Sequence, residues 1–430
     1  MPATDRREFL RRAAAAGGAG LIGGLVPTAT RAAVEGRRVR VAVVGLGRGL
    51  GILQSLLQFP SVEVTWLADV DPRRLAMGMK LALDGTATTP RGVQDFRQAL
   101  DDDTLDAVFV ATPNFWHTPA SLLAMQAGKH VYVEKPGSQN PRESEMIVAA
   151  AARYDRLVQM GNQRRTWMKD AIAALHGGAI GTVRYARAAY NNSRPPGPPR
   201  PKPPSPGIDL DLWQGPVPDD PRHDLASIVH YEWHWFWHWG NGELGNNGIH
   251  ALDVMRWGLK AEHPRSVTYT GGRYWWTDPI ETPDTATAVY DFGHAGCEWV
   301  QSSCQPRRAE KLLGEVVFNG DGGTMAVNRE SWTIYDLKGQ ETGRGTSSVA
   351  GTGDLAHIGN FIAAIRGEAE LASPIAEGQK STMLCHLGNI AYRTGTVVRC
   401  DPQTGAVLDN PAAEQLWGRP AYRPGWDVKV

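Results

Sequence analysis

Two stretches of this 430-residue chain carry residue types whose spacing can do chemistry. In the first, Gly45-Leu46-Gly47-Arg48-Gly49-Leu50-Gly51 follows directly on the apolar run Val41 to Val44. A glycine-rich turn between a strand and a helix aims backbone N–H groups at a pyrophosphate. Gly45 and Gly47 fit the first two glycine roles. The third position is Leu50, so close helix-to-strand packing there has to be met by a shifted helix start. Asp69 ends the next apolar run, 24 residues beyond Gly45. A carboxylate there accepts hydrogen bonds from the adenosine ribose hydroxyls and repels a 2′-phosphate, so NAD is expected over NADP. Arg73 and Arg74 follow on the first turn of a helix, where solvated charge and a 2′-phosphate contact are both open. The second stretch is Tyr231-Glu232-Trp233-His234-Trp235-Phe236-Trp237-His238-Trp239. Aromatic faces stack on the C–H faces of sugars and histidines bond to hydroxyls, which makes Trp233, His234, Trp237 and His238 candidates for carbohydrate recognition. Burial of half of these rings in a core satisfies the same pattern. His230, His234 and His238 are spaced for a metal only if the run is helical. No acidic residue stands in register and the tryptophans alternate as in a strand, so no metal is expected.

These residues need elements to hold them. Apolar runs of strand length, Val39 to Val44, Val62 to Ala68, Ala107 to Ala111 and Val131 to Val133, alternate with helical segments such as Pro119 to Ala127 and Pro141 to Tyr154. That order predicts a doubly wound parallel sheet over residues 37–160, closing with Leu157 to Met160. From Gly161 the pattern changes to longer alternating segments, Thr182 to Tyr190, Ser266 to Thr270, Thr285 to Tyr290 and Glu315 to Phe318, which suit an open, mainly antiparallel sheet. An α/β chain is therefore expected: a parallel-sheet domain, an α+β domain over 161–400 and a tail over 401–430. Two late helices, near Leu355 to Arg366 and Ile375 to Tyr392, complete the second domain. The proline-rich stretch 194–221 reads as an extended arm anchored by Ile208, Leu210, Leu212 and Trp213, or as a spacer.

Composition narrows the partners. Lys plus Arg and Asp plus Glu stand at 45 each, which leaves no basic excess for nucleic acid or an anionic membrane, and favours a small molecule. The four cysteines form no Cys-x-x-Cys pair and have no histidine at zinc-like spacing. Arg6-Arg7, an Ala/Gly-rich run from Ala13 to Val26 and small residues from Ala29 to Ala33 match a twin-arginine export signal over residues 1–33. The run is short and glycine-rich for a membrane span, and no later stretch is apolar enough for one.

Two further segments, Thr112-Pro113-Asn114-Phe115-Trp116-His117 and Ala127 through Glu134-Lys135-Pro136, make the chain resemble the glucose-fructose oxidoreductase, inositol dehydrogenase and MocA family, whose fold begins with a Rossmann domain. The resemblance implies a cofactor held by Gly45, Gly47, Arg48, Gly49, Leu50, Asp69, Thr112, Pro113, Asn114, His117, Glu134, Lys135 and Gln163. It also implies a homodimer or homotetramer built through the second sheet. It places Lys135 beside the nicotinamide and the reacting hydroxyl, where an ammonium stabilises the oxygen as it becomes anionic. In the run Gly242 to Asp253, His250 falls on the family's catalytic histidine. Asn246 stands where the family usually has Asp, so it can orient the imidazole without raising its pKa, and His250 is expected to be neutral. Asp253 and Arg256 read as an ion pair within that helix. Gln163-Arg164-Arg165 resembles a segment lining the substrate pocket; for Arg164 and Arg165, sugar contact and surface charge are both open. The implied reaction is hydride transfer at a carbinol carbon of a sugar, glycoside or polyol. Cleavage of a glycoside through a transient ketone is the main alternative, and a non-catalytic dinucleotide-binding module is another.

Overall fold

The computed structural model describes residues 36–85, 89–197, 204–305, 312–426 and 429–430, so the proposed export signal lies outside the described residues. The first sheet is parallel throughout. Its strands are β1 (Val39–Val44), β2 (Val62–Ala68), β3 (Arg91–Val93), β4 (Ala107–Val110), β5 (His130–Val133) and β6 (Val158–Met160), in the order β3-β2-β1-β4-β5-β6. Near-continuous apolar strands follow from this architecture, because helices cover both faces of a parallel sheet. Val41, Val43, Val108 and Val110 are fully buried, each contributing about 1.5–3 kcal/mol. The strand order reverses between β1 and β4, and at such a switch point a crevice opens beyond the carboxyl ends of the strands.

Helix α1 (Gly49–Leu56) follows β1, α2 (Pro72–Gly85) follows β2, α3 (Asn114–Gln126) follows β4 and α4 (Pro141–Arg153) follows β5. The helix expected from Pro119 starts five residues earlier, with Pro119 inside it. A second sheet of nine strands has Val183–Asn191 near its middle, paired parallel with Gly296–Ser302, while its other neighbours run antiparallel. The helix Ile249–Gly258 and the 20-residue helix Ile375–Thr394 are buried along most of their length, and the longer one packs against both sheets.

Two connections run against chain order. The helix Leu355–Ile365 packs back on the parallel sheet, where Phe361 meets Phe109 and Tyr132. The tail returns to the parallel-sheet domain: Arg419 pairs with the fully buried Glu143 at 2.8 Å, and the Gln126 side chain donates to the Lys429 carbonyl. The four cysteines are free, and no helix among the described residues is long and apolar enough to cross a membrane.

Candidate active site

The glycine turn sits at the switch point. Gly45 has φ +87°, and a Cβ there would lie 2.6 Å from the Ala111 carbonyl oxygen, so only glycine lets β1 and β4 approach this closely. The third glycine role falls on Gly49 rather than Leu50. Gly49 opens α1, and its added Cβ would lie 3.0 Å from Val43 Cγ1, so here the helix start lies hard against the strand. Leu50 is instead a half-buried residue packed beside the core. Asp69 accepts from the Leu46 N–H at 2.6 Å and the Asp71 N–H at 2.8 Å, while burial pushes its carboxyl pKa up. Arg74 lines the cleft over Gly47; Arg73 points to a neighbouring cavity.

The cleft encloses about 450 Å³. Gly45 and Gly47 line its floor without side chains, and the Thr112 hydroxyl on its wall is buried with no partner among the described residues. Both features fit a dinucleotide, which Gly45, Gly47, Asp69, Thr112 and Pro113 would hold. Asn114 and His117 also border the cleft, but their polar atoms are largely committed. The Asn114 amide donates to Asn241 at 2.9 Å, and the His117 ring nitrogens lie against the Pro136 and Thr112 carbonyls. Burial draws the His117 pKa down to about 4.

The strand-end residues of β5 organise the other half. Glu134 is buried and accepts from Arg48 and from Gln163, each at 3.1 Å; Arg48 also bonds Asp354. Gln163 therefore steadies Glu134 and is absent from the cleft lining. Lys135 is enclosed and donates to the Asn246 carbonyl at 2.7 Å and to its side-chain oxygen at 3.2 Å. Asn246 sits inside a π turn, Leu244–Gly248, that leads into the helix Ile249–Gly258. Asn246 thus serves Lys135. No bond joins it to His250, contrary to the orienting role read from the sequence. His250 lies one turn on, at the start of Ile249–Gly258, and its ring bonds no described residue. Burial, reinforced by the Lys135, Arg164 and Arg48 cations, pushes its pKa well down, so the ring is neutral.

The aromatic stretch divides. It opens with a 3₁₀ turn, Glu232–Trp235, and is not a strand. Trp233 and His234 line the cleft with Lys135 and Asn246. Trp237 and His238 line a separate cavity of about 390 Å³, where Trp237 lies near Arg393 and His238 bonds the Pro218 carbonyl at 2.7 Å. His230 pairs with Asp71 at 3.1 Å, so the three histidines do not converge.

The two arginines also part. Arg165 is buried in a fork-to-fork pair with Asp253, at 2.9–3.0 Å, and cannot meet substrate. Asp253 is therefore not paired within its helix; Arg256 bonds Glu377 and Ser381. Arg164 pairs with Glu315 at 2.8 Å and lines a cavity of about 200 Å³ shared with Tyr190 and Asn247.

Several cleft residues escaped the sequence reading. Leu212 and Trp213 of the proline-rich arm line it, held by the Asp209 N–H on the Val70 carbonyl and by the Trp116 indole on the Trp213 carbonyl. Trp426 closes the same side, edge-on to Trp116 and under Arg97, while Arg423 ties that strap to the arm through Pro216 and Asp211. Tryptophans in a proline-rich arm and a tail were the available signal.

Residues 39–162 match a family model described as "Oxidoreductase family, NAD-binding Rossmann fold", and residues 217–326 match the "GFO/IDH/MocA C-terminal domain". A "Glycosyl hydrolase family 109 protein" from Saccharopolyspora erythraea is 32% identical over 159 residues, 35% of each chain. One from Solibacter usitatus is 30% identical over 205 residues, 45% of this chain and 47% of that protein. The chain thus spans about a third to a half of the length of the curated relatives it matches. Among solved structures, the WlbA dehydrogenase from Bordetella pertussis, in complex with NADH and UDP-GlcNAcA, superposes with a TM-score of 0.64 at 20% identity, over 85% of this chain and 99% of that one. The likeness shows a shared fold.

Proposed function

We propose a reaction from one premise: the chain belongs to the GFO/IDH/MocA family of NAD-binding oxidoreductases. The reaction is hydride transfer at a carbinol carbon of a sugar, glycoside or polyol, with Lys135 and His250 as the reacting side chains. A bound nicotinamide supplies the acceptor or donor of hydride. The observation that carries the reading is the enclosed Lys135 ammonium, fixed on Asn246 at the meeting of cleft and helix start. There it stabilises negative charge growing on the substrate oxygen, in a site where low dielectric strengthens the interaction. His250, held neutral, takes the hydroxyl proton. Trp233 offers an apolar face for the sugar, and Arg164 lies within a cavity that fits hydroxyl contacts.

A second reading is favoured by the relatives named as glycosyl hydrolase family 109 proteins: the ketone is transient, the aglycone is eliminated, and the ketone is reduced again. Such a cycle returns NAD to its starting state. It suits a protein exported folded with its cofactor, as the Arg6-Arg7 segment would direct, because little NAD is free outside the cytoplasmic membrane. The arm and the Trp426 strap favour slow release. Assembly into a dimer or tetramer through the second sheet completes the proposal.

The test is to denature purified protein, assay released dinucleotide, and follow turnover of sugars and 4-nitrophenyl glycosides with no cofactor added. Retained NAD and aglycone release without net nicotinamide reduction are expected. An empty protein that needs added NAD and accumulates NADH with product is an ordinary dehydrogenase; one that holds NAD but turns over nothing is a binding module.

A further inference from the structure

We propose that His234 is a second proton acceptor in this cleft, placed to take the C–H proton beside the carbonyl that oxidation creates. The inference rests on the glycoside-cleaving reading above and assigns the residue that would separate it from plain oxidation.

The geometry defines the tautomer. His234 Nδ1 lies 2.6 Å from the Tyr231 carbonyl oxygen. A carbonyl only accepts, so Nδ1 carries the hydrogen and Nε2 is left with its lone pair. The ring is clamped on Trp233, with centroids 3.6 Å apart and planes 21° apart. Nε2 bonds no described residue, and the ring lines the cleft beside Lys135 and Asn246. Burial, with the nearby Lys135 and Arg194 cations, draws the pKa down to about 3, which favours the neutral ring. The low basicity is offset as the proton moves, because the enolate forming beside it pairs with the new imidazolium and with Lys135.

Oxidation alone needs one acceptor, for the hydroxyl proton. Elimination needs a second, since an imidazole that has just taken the first proton cannot take another until it is discharged. With NAD⁺ as oxidant, the carbinol becomes a ketone and its O–H proton goes to His250. Next the C–H bond beside the ketone breaks. Its proton goes to His234 Nε2 and its electron pair is held as the enolate, whose collapse forms the carbon–carbon double bond as the C–O bond to the aglycone breaks with the pair leaving on oxygen. Water then adds across the double bond as His234 returns its proton to the carbon, and the hydride returns to the ketone carbon as His250 returns its proton to the oxygen, which restores the sugar, both imidazoles and NAD⁺.

The experiment uses the full chain with its retained dinucleotide, 4-nitrophenyl hexosides and deuterated buffer. It compares the parent with His234→Asn, which keeps a donor for the Tyr231 carbonyl, and with His234→Gln. In the parent, nitrophenolate release and deuterium at the carbon next to the oxidised one are expected. In both variants release falls by at least about a hundredfold and deuterium is lost, yet reduced nicotinamide accumulates, because oxidation still proceeds. Variants that still exchange deuterium, or that lose nicotinamide reduction as well, overturn the assignment. A parent that oxidises sugar without exchange also overturns it while leaving the oxidoreductase reading intact; a parent that does neither overturns both. Imidazole nitrogen spectra of the parent provide a check independent of variant folding: a protonated Nε2 on His234 overturns the proposal.

Discussion

Within the aromatic stretch the dipeptide Trp-His occurs twice, at Trp233-His234 and at Trp237-His238, and the two copies face different cavities. In the first copy the 3₁₀ turn brings the Tyr231 carbonyl back to Nδ1, leaving Nε2 open to the cleft. Beyond Trp235 the backbone becomes extended at Phe236, with φ −116° and ψ 126°, and the second copy swings away. There Nε2 meets the Pro218 carbonyl, so His238 carries its hydrogen on the opposite nitrogen. Identical side chains thus receive opposite tautomers from whichever carbonyl lies nearest. Residue type names a chemistry, while the local turn decides whether it can be used.

The largest effects are expected from side chains that make the first cavity reactive. Lys135→Met and His250→Ala should each lower turnover by about 10²–10⁴-fold with dinucleotide still retained, and turnover near that of the parent in either variant removes that residue from the reaction. Next come the rings themselves. Trp233→Ala deletes a buried side chain and should cost about 3–5 kcal/mol in urea unfolding, with turnover falling as His234 loses its support. Trp237→Ala, half-buried against Arg393, should cost about 1–2 kcal/mol, and His238→Asn should change turnover by less than about twofold. Equal losses of turnover at Trp233 and Trp237 would erase the distinction.

The smallest expected effect is a pH profile that stays flat. An imidazole at its usual value of 6.5 would lose about 20- to 30-fold of its unprotonated form between about pH 7 and 5. His234 and His250 are both pushed below that value, so protonation, which disables a base, is deferred to stronger acid. The logarithm of kcat/KM against pH should therefore show no acid limb across that interval. A limb near the ordinary histidine value would mean that a different, exposed imidazole does the work.

Much of this was legible from residues alone, and the parts that were not share a cause. Gly45, Asp69 and the alternation of strand and helix state local rules, so the parallel sheet and its switch point follow from the pattern. Leu50 was harder, because the helix start moved until Gly49 supplied the contact. Arg165 and Asp253, Asn246 and Lys135, and Trp426 with the cleft are pairings between distant segments, and nothing in either partner's neighbours announces the other. The π turn at Leu244–Gly248 is likewise invisible to periodicity, yet it carries the carbonyl that holds Lys135.

The Trp426 strap has a consequence for how the protein matures. Gly45 and Trp426 border one cleft although 381 positions separate them. The parallel sheet can therefore assemble early and still lack a wall of its own binding site, since closing so long a loop is among the slower, more entropically costly steps of folding. Cofactor would then select completed molecules by mass action, stabilising the strapped form over every partly built predecessor. Dinucleotide occupancy becomes a certificate of finished folding.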